Sequence, residues 1–183
     1  GHNDQKDPEL DAFGGYERYL RWFVDYARGR AVKTILNAPI NRIIFDDNGK
    51  ILNLLGEYRD AVKQVSEWGH VPFIDLWTAT TDLFEPLGLY TAKKYFRHDE
   101  ESQDYTHTND LGGTIVAKLW AAMAAEAGIR GLSEHILTQQ LAIGEIKADP
   151  NAPKESNAWE FERLKSIGLG TVPADLDADI SHL

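Results

Sequence analysis

The chain has 183 residues and no cysteine. That excludes disulfide bridges, thiolate metal sites and a cysteine nucleophile. No apolar run approaches the roughly 18 residues of a membrane-spanning helix. Basic residues are scarce as well: 19 Lys and Arg stand against 29 Asp and Glu, a formal charge of −10. Nucleic acid and anionic membranes are bound through clustered Lys and Arg, so neither is expected as a partner. Serine is present, but none of Ser66, Ser102, Ser133, Ser156, Ser166 and Ser181 sits in a recognisable nucleophile motif. What the chain does have is 43% hydrophobic and 10% aromatic residues, enough for a packed core and too many for a disordered chain.

Periodicity divides the sequence into alternating elements. Tyr16, Tyr19, Leu20, Phe23, Val24 and Ala27 recur at helical spacing up to Arg28-Gly29. Ala31–Leu36 reads as a strand stopped by Asn37-Ala-Pro39, and Asp46–Gly49 reads as a turn. A second helix carries Tyr58, Ala61, Val62, Val65 and Trp68, followed by a strand over Val71–Leu76. Short helices are expected over Asp75–Glu85 and Leu87–Phe96, and a long one presenting Leu111, Ile115, Leu119 and Met123, closed by Gly128. This alternation implies right-handed crossovers and a parallel sheet. From about Gly131 the composition shifts. Residues 129–183 are expected as a helical and irregular appendage to a domain over 1–128, with the last dozen residues acidic and loose.

The most informative stretch is Asp104-Tyr-Thr-His107, followed by Thr108-Asn-Asp110 and a helical run. A carboxylate three residues before a histidine can hold the imidazole in one tautomer while its other nitrogen faces a substrate, two members of a hydrolytic triad. The plainer alternative is an exposed acid and a helix-entry histidine. His98, Asp99 and Glu101 with this pair could also be read as a divalent-cation site. However, their spacing defines no helix or strand face on which ligands converge, and no metal is expected.

Four blocks in order resemble the SGNH (GDSL-type) hydrolases, and most closely their rhamnogalacturonan acetylesterase-like branch. They are Gly1-His-Asn-Asp4, Thr34-Ile-Leu with Asn37-Ala-Pro-Ile-Asn-Arg42, Val71-Pro-Phe-Ile-Asp-Leu76 with Trp77, and Asp104-Tyr-Thr-His107 with Thr108-Asn-Asp-Leu-Gly-Gly113. The resemblance covers residues 1 to about 128. It implies a three-layer α/β/α, flavodoxin-like fold and a carbohydrate O-acetyl esterase acting on pectin-like glycans by a Ser-His-Asp mechanism. His107 would be the base, Asp104 its orienting acid and Asn3 an oxyanion donor; no cofactor is implied.

The family's blocks bearing the nucleophilic serine and the oxyanion-hole glycine have no counterpart here. The chain is therefore expected to be a C-terminal fragment lacking its N-terminal strands, inactive alone and in need of a complementary N-terminal segment. Two strands of a doubly wound sheet would otherwise expose an unpaired edge. Trp77, just past a strand end, is the candidate for sugar stacking, and Arg42 for a carboxylated sugar or, more plainly, a surface acid. Trp22, Trp68 and Trp120 are expected in the core. The partner is then an acetylated oligo- or polysaccharide. A non-catalytic remnant binding sugar or a partner chain, and an SGNH lipid esterase or thioesterase, stay open as alternatives.

Overall fold

The computed structural model describes residues 1–167; the expected loose acidic tail lies outside them. The helices are α1 (Glu17–Arg28), α2 (Gly56–Gly69), α3 (Leu76–Phe84), α4 (Gly88–Ala92), α5 (Asp110–Glu126) and α6 (Trp159–Ser166). The strands are β1 (Leu36–Asn37), β2 (Phe73–Ile74), β3 (Phe96–His98) and β4 (Gln103–Thr108). Each main helix follows from its local sequence. On α2, Tyr58, Ala61, Val62 and Val65 form one buried stripe. At the start of α3 the Asp75 carboxylate accepts the Thr78 N–H at 3.2 Å, while Arg59 grips its second oxygen at 3.0 and 2.6 Å.

β1 and β2 pair in parallel, Leu36 opposite Phe73 and Asn37 opposite Ile74. Helices cover both faces. Val24 of α1 and Val62 and Val65 of α2 pack with Leu36 on one side. Ile35 and Ile74 pack with Ala124 and Trp120 of α5 on the other. The α/β class and parallel pairing agree with the sequence reading. The strands are much shorter than the expected Ala31–Leu36 and Val71–Leu76, because Ala31 sits at φ 56° in the turn leaving α1 and Pro72 has no N–H to contribute. Expected core residues also move outward. Trp22 is 54% and Trp68 41% exposed, since α1 turns Val24 inward and its aromatic stripe outward. The Arg21 guanidinium stacks 4.6 Å over the Trp68 ring. Trp120 is half-buried, its indole N–H donating to Asn37 Oδ1 at 2.6 Å.

The expected helix over Leu87–Phe96 breaks up. Gly88 lies at φ 68°, α4 ends at Ala92, and Phe96 begins an antiparallel hairpin with β4 that the sequence reading lacks. Phe96 is buried with Ile43, Phe45, Phe84 and Leu87 in the largest apolar cluster. α5 starts hard against this hairpin. A Cβ on Gly112 would lie 2.0 Å from the Tyr95 carbonyl oxygen, so only glycine permits the approach.

The stretch beyond 128, expected as an appendage, contributes to the same core up to residue 167. Asn157 is 1% exposed, accepts the Phe45 N–H at 2.7 Å and donates to the Ile43 carbonyl at 3.0 Å. Leu164 of α6 packs on Ile44 and Leu54. Asn157→Ala would strand a buried N–H and a buried C=O. A loss of about 2–4 kcal/mol, read from the denaturant midpoint at unchanged slope, is the expected result.

Candidate active site

The Asp104–His107 segment owes its shape to a mismatch in the β3–β4 hairpin. Phe96 faces Thr108 and His98 faces Gln103, so the residues between 103 and 108 outnumber those opposite and bulge from the ladder. Asp104 organises the bulge. Its Oδ1 accepts the backbone N–H of Thr106 at 2.7 Å and of His107 at 3.0 Å, and its Oδ2 meets His107 Nδ1 at 2.7 Å. Partial burial opposes ionisation of Asp104, but the backbone N–H groups and the imidazole outweigh it and hold the carboxyl below its ordinary range. The His107 ring is exposed, and its Nε2 has no protein partner among the described residues.

The first residues of the chain form the facing wall. Asn3 precedes a short turn over Asp4–Lys6, is exposed, and accepts from the Lys6 ammonium at 3.3 Å, so its amide N–H groups are free of protein acceptors among the described residues. Arg42, 3% exposed, holds this loop down by donating to Gln5 Oε1 at 2.5 Å and to the His2 carbonyl at 3.3 Å. Its Nε and His2 Nε2 are buried without a protein partner among the described residues. Burial lowers the Arg42 pKa to about 10, against the opposing pull of Glu160 and Asp104. Burial, aided by the Arg42 charge, lowers His2 to about 3.

Asn3, Arg42, Asp104 and His107 line one groove of about 630 Å³, within the range of small-molecule sites. Trp77 does not join them. It packs beside Leu55, Tyr58 and Ala61 with Arg59 over its ring, so the proposed stacking role has no place at this groove. Arg42 lies in the floor and grips the loop instead of pairing with a surface acid. The sequence reading missed Lys6 and the α6 residues Trp159, Glu160 and Arg163, which also line the groove, as does Glu101. Glu160 is buried and accepts from both Nε and Nη2 of Arg163. The α6 residues lie some 50 residues after His107 across an irregular stretch, so no local spacing ties them to it.

An α/β domain here brings an Asp–His pair and an exposed asparagine to the lining of one groove. The chain is 32% identical over 149 residues to the rhamnogalacturonan acetylesterase RhgT of Bacillus subtilis, covering 76% of this chain and 64% of that protein. It is 31% identical over 144 residues to the probable rhamnogalacturonan acetylesterase YesY of the same organism, covering 76% of this chain and 65% of the relative. The chain therefore spans slightly less than two thirds of the length of the curated relatives it matches. The crystal structure of protein YxiM from Bacillus subtilis superposes with a TM-score of 0.57 at 20% identity, covering 64% of this chain and 32% of that one, which supports the fold. No family model matches. Over about three quarters of its length the chain is thus similar in sequence to rhamnogalacturonan acetylesterases, and its fold resembles that of YxiM.

The buried His2 makes stability depend on pH. Its folded pKa of about 3 lies below the 6.5 of an unperturbed histidine, so the unfolded chain binds the extra proton between those values. The stability it contributes is complete above pH 6.5 and is lost as pH falls toward 3. Denaturant melts at pH 7.5 and 5.0 should show the native chain losing up to about 1.4 kcal/mol per pH unit from this group. His2→Gln should flatten that part of the slope.

Proposed function

We propose that this chain carries the acid–base and oxyanion-binding part of a carbohydrate O-acetyl esterase acting on acetylated pectin-like glycans. The observation that carries the reading is the 2.7 Å contact between Asp104 Oδ2 and His107 Nδ1, with the other ring nitrogen open to the groove that Asn3 shares. In this reading His107 Nε2 takes the proton of a serine hydroxyl as that oxygen attacks the ester carbonyl. Asp104 accepts the Nδ1–H, fixes the tautomer and stabilises the imidazolium without itself becoming protonated. The Asn3 amide donates to the tetrahedral oxyanion, a contribution of roughly 3–4 kcal/mol for a well-placed donor, and being neutral it does so without titrating. His107 then gives that proton to the sugar oxygen as its bond to the acyl carbon breaks, releasing the sugar hydroxyl, and water repeats the cycle on the acetyl-serine.

The serine comes from outside the described residues. Ser66, Ser102, Ser133, Ser156 and Ser166 donate their hydroxyls to Val71, Asp99, Ala124, Phe45 and Arg163 respectively, and none meets His107. The finer fold reading belongs with this. β1 has one neighbour among the described residues, and a flavodoxin-like sheet would continue from its other edge. The same observation favours a second reading, in which the chain binds acetylated sugar without cleaving it.

The two separate in an assay of acetate release from acetylated rhamnogalacturonan. The chain alone is compared with a chimera joining it to the part of RhgT outside the aligned stretch. Release is expected from the chimera only. In the chimera His107→Ala should abolish it, and Asp104→Ala should lower kcat by about 10³–10⁴-fold. Asn3→Ala should lower kcat by about 10²-fold with little change in KM, because it acts on charge that develops in the transition state. Full kcat in the His107 or Asp104 variant would remove the assignment.

A further inference from the structure

The candidate active site uses the end of the sheet at which β1 and β2 finish. Gly1 lies against Pro39, just past β1, and Asn3 and His107 line the groove that follows. Another cavity, of about 670 Å³, sits at the opposite end, against Ile35 ahead of β1 and Val71 ahead of β2. Three helices bring their C-terminal turns to it: Arg28 ends α1, Gly69 ends α2, and Ala127 and Gly128 follow α5. Open α/β sheets ordinarily bind ligands at the carboxyl ends of their strands, so fold analogy does not account for a site here.

The lining divides into two chemistries. Val24 and Ile129 are buried in the floor, whereas Val32 is left 58% exposed beside Val71 and Leu132. Around them stand Arg28, Lys33, His70 and Arg130, and no carboxylate belongs to the lining. In a chain of formal charge −10 that is a local excess of the scarcer sign. Backbone carbonyls account for part of it, since Arg28 donates to the Gly69 carbonyl at 2.6 Å and Lys33 to the Arg130 carbonyl at 3.0 Å. Two acids bonded to lining residues stay outside: Asp25 accepts from Arg28 at 3.0 Å and Glu134 from the Gly131 N–H at 2.9 Å. The Arg130 guanidinium has no protein partner among the described residues, and the Lys33 ammonium keeps donors to spare. The rim is also strained. Ala31 at φ 56° and His70 at φ 50° are the non-glycine residues in the left-handed region among the described residues, and both line this cavity. Glycine would relieve each of these helix-closing turns, so the fold holds the rim at a conformational cost.

We propose that this cavity binds a small amphiphilic carboxylate, its apolar tail lying on Val32, Val71 and Leu132 and its head on Arg130 and Lys33. A guanidinium edge and an ammonium together match one carboxylate, and the apolar side chains take a tail that acetate lacks. A cationic amphiphile would keep the tail contact and meet repulsion at the head. The site shares no lining residue with the groove of Asn3 and His107, so it stands apart from the esterase reading.

Binding is read on the full chain by titration calorimetry and by backbone amide chemical shifts. Octanoate is the probe, with acetate and octylammonium as controls. Octanoate is expected to bind on the order of tenfold more tightly than either control and to move the amides of residues 31–35, 69–71 and 128–132. Combining Arg130→Gln with Lys33→Gln should lower octanoate affinity to that of octylammonium. Val32→Asp should weaken octanoate and leave acetate unchanged. Lys33, Arg130 and Val32 are exposed, so an unchanged melting midpoint is expected in each variant. No octanoate binding at millimolar concentration, equal affinity for octanoate and octylammonium, or native affinity in the doubly substituted chain would each overturn the site. So would amide shifts confined to the exposed aromatic stripe of α1, which would place the ligand there instead.

Discussion

The buried run from Arg42 to Phe45 joins parts of the molecule that are far apart in sequence. The Arg42 side chain reaches back to Gln5 and the His2 carbonyl and so sets the loop that carries Asn3. One residue on, the Ile43 N–H holds the Tyr105 carbonyl inside the bulge that carries Asp104 and His107. From the other side, Asn157 bonds the Ile43 carbonyl and the Phe45 N–H, bringing α6 up to close the groove. A buried guanidinium is costly unless its donors are used, and each donor that Arg42 does use fixes a loop. The loops that carry the candidate base and the candidate oxyanion donor are thus both tied to one buried tetrapeptide.

The Asp104–His107 pair needs less help. Its contacts span three residues, two of them from backbone N–H groups that the carboxylate collects from its own turn. The hairpin supplies the extra chain length, and Gly112 lets α5 close over Tyr95 so that the strand ends where the helix begins. A local device of this kind orients the imidazole before any distant contact is made. That suits a proton acceptor whose useful nitrogen must point into solvent or substrate.

α1 shows the opposite economy. Its apolar contact with the rest of the chain runs through Val24, with Leu20 partly buried, while Trp22 packs on Phe23 and Tyr26 at the surface and arginines lie over Tyr19 and Tyr26. The relatives from Bacillus subtilis carry over a third of their length outside the stretches aligned with this chain. An exposed aromatic stripe and a two-stranded parallel sheet belong naturally to a layered α/β architecture, in which helices and strands each need covering on more than one side.

Local chemistry in the sequence was enough for several features. The α2 stripe follows from 3.6-residue periodicity and the Asp104–His107 contact from a three-residue spacing. The parallel pairing of two β-prone runs across a helix followed as well, because a crossover of that length allows little else. Tertiary structure decided what depends on contacts between distant residues. The hairpin of β3 and β4 is polar at its turn and lacks alternation, so pairing alone reveals it. Trp77 and Trp159 are both tryptophans at the start of helices, yet one is packed under Arg59 and the other opens onto the groove, according to what the rest of the chain places over each. In sequence Arg42 is a candidate for a carboxylated sugar or, more plainly, the partner of a surface acid. It became the clamp of the site because residues 2, 5, 105 and 157 fold onto the run 42–45, and sequence spacing carries no record of so many long-range contacts meeting at one point.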